Sequence, residues 1–217
     1  MRGRTKWSLL LGVMVLTAAC ATAPVELPTG AVKIDAGIPA VGTKWVTKAI
    51  DHQSGGATEQ TWIAVEVAYP GRVVYSTTDG TDTRVFDKAT RNWIATLRDG
   101  KERAAASPDD GTFAWPLWVG RSWMASYTYH DLERGRTWNP VQTWWKVAAY
   151  EDVTVPAGKF KAFRLESTPG TNNATQITFW YAPEVKLTVK HVMERTSGHY
   201  LGYGKVTTEV VKYEQPR

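Results

Sequence analysis

The chain has 217 residues and a formal net charge of +5, with 43% hydrophobic and 22% charged residues, 11 Trp, 9 Tyr, 5 Phe and one Cys. That composition excludes a disordered chain, a collagen-like repeat and a disulfide-stapled mini-protein. A chain this long buries roughly 70% of the surface its unfolded form exposes, so one core without metals or disulfides suffices and a single domain is expected.

Residues 1–19 read as a signal peptide: Arg2, Arg4 and Lys6 precede an uncharged, mostly apolar run over 8–19 that ends in small residues. As a helix the run would rise about 18 Å, against a bilayer core of about 30 Å, so it is not a membrane span. Cleavage takes away three positive charges and no acid, leaving the mature chain at +2 rather than +5. A nearly balanced, exported domain without a basic block is not built for nucleic acid.

Leu16-Thr17-Ala18-Ala19-Cys20 resembles the bacterial lipobox, in which the cysteine sulfur receives a diacylglycerol and becomes the new N-terminus. The resemblance implies lipid attachment at Cys20 and a membrane partner reached through that anchor. The other fate of a lone cysteine is a buried free thiol. Ala21, where Asp would retain such a protein at the inner membrane, implies an outer-membrane lipoprotein of the cell envelope, facing the periplasm or the surface. Residues 20–42, with Pro24, Pro28 and Pro39 and no sustained period, read as the lipidated N-terminus and a flexible tether. The single domain is expected over 43–217.

From there the pattern is that of strands. Segments 44–50, 61–69, 72–77, 83–87, 93–98, 122–130, 142–150, 160–167, 176–181, 186–193 and 205–213 are short and rich in Val, Thr and aromatics, and they mostly alternate. Asp79-Gly80, Asp99-Gly100 and Asp110-Gly111 are hairpin dipeptides, and Val155-Pro156-Ala157-Gly158 has the chemistry of a tight turn. Phe163 and Leu165 share one face, as do Ile177, Phe179 and Tyr181. Stretch 101–120, with Pro108, Pro116 and two adjacent acids, reads as a crossing between two halves of the sheet. The expected fold is all-β: an antiparallel meander of about ten strands in a strongly curved sheet or half or open barrel, with little helix.

Three stretches together resemble a family of exported bacterial proteins of unknown function: AWPLWVGRSW at 114–123, YEDVTVPAGKFKAF at 150–163 and FWYAPEV at 179–185. That family has a PL-x-VG-K-x-W element, a V-x-VPAG-T-F hairpin and a W-Y-AP-x-V turn, and here Arg121 and Lys159 stand where Lys and Thr are commoner. The resemblance implies a β-rich half-barrel and brings no catalytic residue or substrate.

No G-x-S-x-G or S-x-x-K is present. His52, His130, His191 and His199 are scattered; only His191 and His199 are close enough for a hairpin to join them. Glu66, Asp131, Glu133, Glu166 and Glu209 are the acids from which a hydrolase would draw a pair. No catalytic residue, metal site or cofactor is assigned. The remaining signal is aromatic: Trp144 and Trp145 point to opposite faces of one strand, so at least one lies outside a one-sided core. Trp118, Trp138, Trp144 and Trp145, with polar or turn-like flanks, are the candidate ligand-binding residues. The expectation is a non-enzymatic envelope lipoprotein holding a lipid-like or other hydrophobic small molecule, or an envelope protein partner, on a concave aromatic face. The alternative is an envelope scaffold or surface component without a ligand site, and hydrolysis of envelope polymers ranks last.

Overall fold

The computed structural model describes residues 29–65 and 71–216. The leader, Cys20, Ala21, the first part of the tether and Glu66 lie outside those residues. The described elements are twelve strands: β1 (Lys44–Asp51), β2 (Ala57–Val65), β3 (Arg72–Thr77), β4 (Asp82–Asp87), β5 (Trp93–Arg98), β6 (Lys101–Ser107), β7 (Ser122–Asp131), β8 (Arg136–Val155), β9 (Gly158–Pro169), β10 (Thr175–Ala182), β11 (Leu187–Arg195) and β12 (Gly204–Glu214). Each pairs antiparallel with its neighbours in sequence, and β1 also pairs with β12, Lys44 opposite Glu214 and Asp51 opposite Val206. The meander is therefore a closed barrel.

Alternation decides what faces inward. On β7 and β8, Trp123 opposes Trp145, Ala125 opposes Thr143 and Tyr127 opposes Val141, and these point into the lumen. Met124 and Trp144 oppose each other on the outside, 44% and 55% exposed. The inward row continues through Val147, Leu165, Phe179, His191 and Thr208. Outward positions are charged: Lys190 pairs with Glu209 at 2.7 Å, Lys205 with Glu194 at 3.3 Å, and Arg164 with Glu166 and, at 3.0 Å, with Glu151. A charge at the midplane of a lipid-facing barrel wall costs about 2–4 kcal/mol, so this outer surface is suited to water, not to a bilayer.

Two apolar clusters hold the barrel. One joins Trp45, Trp62, Tyr75, Leu187, Val189 and Val210 to Val153, Val155, Phe160 and Ala162 of the long β8–β9 hairpin. A register shift between Val147 and Ala149 bends that hairpin. Its tip then reaches β12, where the Ala157 amide donates to the Val210 carbonyl at 3.1 Å. The other cluster collects Leu117, Ala125, Trp145, Val147, Phe163, Leu165 and Tyr181.

The structure departs from the sequence expectation in four places. It has twelve strands in a closed barrel rather than about ten in an open one. The added strand is β6, whose KERAAAS has few residues of β preference and was read as the start of a crossing. The rest of that crossing enters the lumen as a plug. Phe113 stacks on Trp115 with centroids 5.1 Å apart and meets Phe179 and Tyr181 at 6.5 and 5.7 Å, while the Trp123 indole donates to the Gly111 carbonyl at 2.9 Å. Asp110-Gly111 is the corner of this plug, not a hairpin. Gly111 has φ +61°, and a Cβ there would lie 2.6 Å from that of Ala125. Finally, the end of the predicted tether is fastened to the barrel. Ile34 and Leu117 exchange two backbone hydrogen bonds of 3.1 and 2.8 Å, Ile38 packs on the first cluster, and Arg91 donates to the Gly37 carbonyl.

Candidate functional site: an aromatic chamber in the barrel lumen

The principal cavity, of about 590 Å³, occupies the lumen beneath the β9–β10 and β11–β12 loops. Ligand sites commonly span about 300–1,000 Å³. Its strand wall includes Tyr127, Tyr129, Trp138, Val141, Trp145, Ile177 and Met193 together with Thr143 and Arg195, and the plug contributes Asp110 and Thr112. Trp145 is 3% exposed and stacks between Trp123 and Phe179 at 6.5 and 5.7 Å. Its indole N–H has no acceptor among the described residues. Trp138 sits between Tyr129 and Tyr200 at 5.7 and 5.0 Å.

Asp110 is the polar residue most altered by this setting. Burial pushes its carboxyl up to about 6, against the opposing effect of hydrogen bonds from Thr112 and the Trp93 amide. Its Oδ1 accepts from the Trp93 and Thr112 amides at 3.0 and 3.2 Å, and Oδ2 faces the Thr112 hydroxyl at 2.7 Å. Tyr127 is raised above the usual phenol range, first by burial and then by Asp110.

The β11–β12 loop covers the chamber with His199, Tyr200 and Leu201. It is fastened by Tyr200, whose hydroxyl donates to Asp131 Oδ2 at 2.8 Å and whose ring stacks on His199. Burial alone would raise the Asp131 carboxyl, but hydrogen bonds from Tyr200 and Arg134 hold it below the usual range. A smaller cavity of about 320 Å³ shares Tyr129, Tyr200 and Leu201 with the first and is lined beyond them by charged residues. There Arg98 pairs with Asp82 at 2.9 Å, Arg103 with Glu133 at 3.2 Å and Arg134 with Asp131 at 3.2 Å.

Of the four candidate indoles, Trp138 and Trp145 meet in the chamber. Trp118 and Trp144 do not: Trp118 is 7% exposed and covered by the Arg121 guanidinium at 4.5 Å, and Trp144 lies on the outer wall. The difference for Trp144 and Trp145 is the two-residue period itself. Glu166 and Glu209 are in the outer ion pairs described above, and His130 is hydrogen bonded to Thr137 at 3.0 Å. None of the three lines the chamber. His199 does line it, while His191 faces the lumen beside Phe179 at 5.6 Å, its pKa lowered to about 4 by burial and then by Arg84. Among the described residues no group of three or more His, Cys, Asp or Glu is placed to hold a metal ion. Asp110 was missed as a site residue, and the available signal was an acid pair inside an aromatic stretch.

No family model and no curated protein sequence matches the chain. Among solved structures it is similar to a protein of Parabacteroides distasonis ATCC 8503 described as a lipoprotein, with 14% identity and TM-score 0.38 over 83% of this chain and 99% of that one. It is also similar to a protein of Bacteroides fragilis NCTC 9343 described as exported and as having a YmcC-like fold, with 11% identity and TM-score 0.40 over 85% of this chain and 100% of that one.

Proposed function

We propose that the protein is an exported, lipid-anchored component of the bacterial cell envelope, without catalytic activity, whose barrel holds a lipid-like hydrophobic ligand in the aromatic chamber. The chamber carries this reading: about 590 Å³ in which tyrosine, tryptophan, isoleucine and methionine side chains stand beside a few polar ones, Asp110 and Arg195 among them, inside a barrel whose outside is charged. The leader, the lipobox-like LTAAC and the elements that resemble those of exported bacterial proteins support the location, with outer-membrane sorting inferred from Ala21. Anchoring through Cys20 would leave the barrel in water beside a membrane, where apolar molecules are the scarce and insoluble cargo.

The test is titration of the mature chain, carrying Cys20→Ser so that it purifies without its own lipid, with the neutral probe N-phenyl-1-naphthylamine. Saturable fluorescence enhancement is expected, weakened several-fold by Trp138→Ala. A titration without saturation would refute the ligand reading. A second reading, docking of an envelope protein, has one observation in its favour: the exposed Met124–Trp144 pair on the outer wall. Loss of a crosslinked envelope partner on Trp144→Ser, with probe binding intact, would favour it.

A further inference from the structure

The lumen also contains a cation without an acidic partner among the described residues. Arg84 on β4 opposes Tyr75 on β3 and Thr96 on β5, on the inward face, and its guanidinium lies over the Trp62 ring at 4.5 Å. No described carboxylate stands within ion-pair distance of it, and it makes no hydrogen bond among the described residues. Its neighbours are different: Arg98, Arg103 and Arg134 each hold an acid. The nearest candidate counter-ion, Asp82, is already engaged by Arg98 and by the Gln60 amide at 3.0 Å. Arg84 is exposed within the lumen, so an incoming group can reach it.

The surroundings of Arg84 are amphipathic. Asp82 and Thr96, its neighbours on β4 and β5, line the smaller cavity. His191, near enough to Arg84 for that charge to contribute to its lowered pKa, shares a strand face with Met193 of the larger one. Arg84 thus adjoins the charged cavity through its neighbours on β4 and β5, while lining neither cavity itself. A neutral imidazole there can donate one N–H to an anion, beside the guanidinium fork.

We infer that the ligand is an amphiphilic anion, its negatively charged head on Arg84 and its apolar body along Met193, Ile177, Tyr127 and Trp145. This rests on the reading of the lumen as a ligand chamber. The chemistry fits a single-chain acid better than a neutral glyceride or a sterol, because a carboxylate takes a charge-assisted hydrogen bond from the Arg84 guanidinium that a neutral head does not. It fits an amphiphile better than a small inorganic anion, because an inorganic anion leaves the aromatic wall empty.

The experiment is competition against bound N-phenyl-1-naphthylamine by laurate and by 1-dodecanol, which share a twelve-carbon chain and differ in charge. The mature Cys20→Ser chain should bind laurate at least about tenfold more tightly, as expected of one charge-assisted contact. Arg84→Gln should erase that preference, and Arg84→Lys should keep part of it. Equal displacement by acid and alcohol on the chain with Arg84 intact would overturn the inference, whether or not Arg84→Gln folds. Probe binding in that same experiment would leave the chamber reading standing, whereas no saturable probe binding would end both. Inorganic phosphate at millimolar concentration should not compete; competition as strong as that of laurate would assign Arg84 to a free anion and overturn the amphiphile.

Discussion

Replacing Asp110 by Asn tests the energetics of the chamber directly. In the folded protein the Asp110 carboxyl has its pKa raised to about 6 by burial, whereas an unfolded aspartate titrates near 3.9. The native state therefore binds this proton more tightly than the unfolded state. Stability from this source is fully present below about pH 3.9 and is lost as pH rises through about 6. Two units at about 1.36 kcal/mol each put the loss at roughly 3 kcal/mol for an enclosed group. Asn matches the neutral acid in shape: Oδ1 can accept from the Trp93 and Thr112 amides, and Nδ2 can donate to the Thr112 hydroxyl. Urea denaturation of both proteins at about pH 4 and about pH 7.5 is the assay. Equal midpoints are expected in acid, with Asp110→Asn the more stable by about 2–3 kcal/mol near pH 7.5. A variant less stable than its parent at both pH values would show that the native state uses the carboxylate, and the argument from burial would fall.

Gly111→Ala should destabilise the domain by about 2 kcal/mol or more, because the new methyl meets Ala125 at 2.6 Å in a left-handed backbone of φ +61°; an unchanged urea midpoint would contradict the tight plug corner. Gly158→Val should cost roughly 1–2 kcal/mol from its φ of +140°, since open space around the position leaves backbone strain as the main effect, read by the same denaturation. Cys20→Ser should move the protein from the membrane to the soluble fraction on detergent-free fractionation. Retention in the membrane would mean that lipid at Cys20 is not the anchor.

Most strands were legible because their side chains obey a two-residue period with few exceptions: β3 (Arg72–Thr77) and β5 (Trp93–Arg98) fall at the boundaries expected from sequence. β6 was not, since three consecutive alanines carry no face preference and its strand state comes from pairing with β5 and β7. Closure was invisible for a different reason. Pairing of Trp45 with Tyr213 joins residues at opposite ends of the domain, and no local pattern encodes it. The plug was misread because its prolines and acids look like surface loop, whereas Phe113 and Trp115 take it inward. Of the indoles singled out from the sequence, Trp138 and Trp145 are the two that line the chamber. Trp118, chosen for its polar flanks, lies away from the chamber, with the flanking Arg121 over its ring. Arg84 sits in an ordinary Thr-Arg-Val strand, and its lack of an acidic partner among the described residues is a property of three dimensions only.

The seam between β1 and β12 has a consequence for when the protein can do its work. A strand beginning at Lys44 is completed by one ending at Glu214, so neither chamber exists until almost the whole domain has been delivered. Contacts so distant along the chain form late and slowly. On the function proposed above, a polypeptide threaded through a translocon would arrive empty and acquire its cargo on the far side, from whatever amphiphile it meets there first.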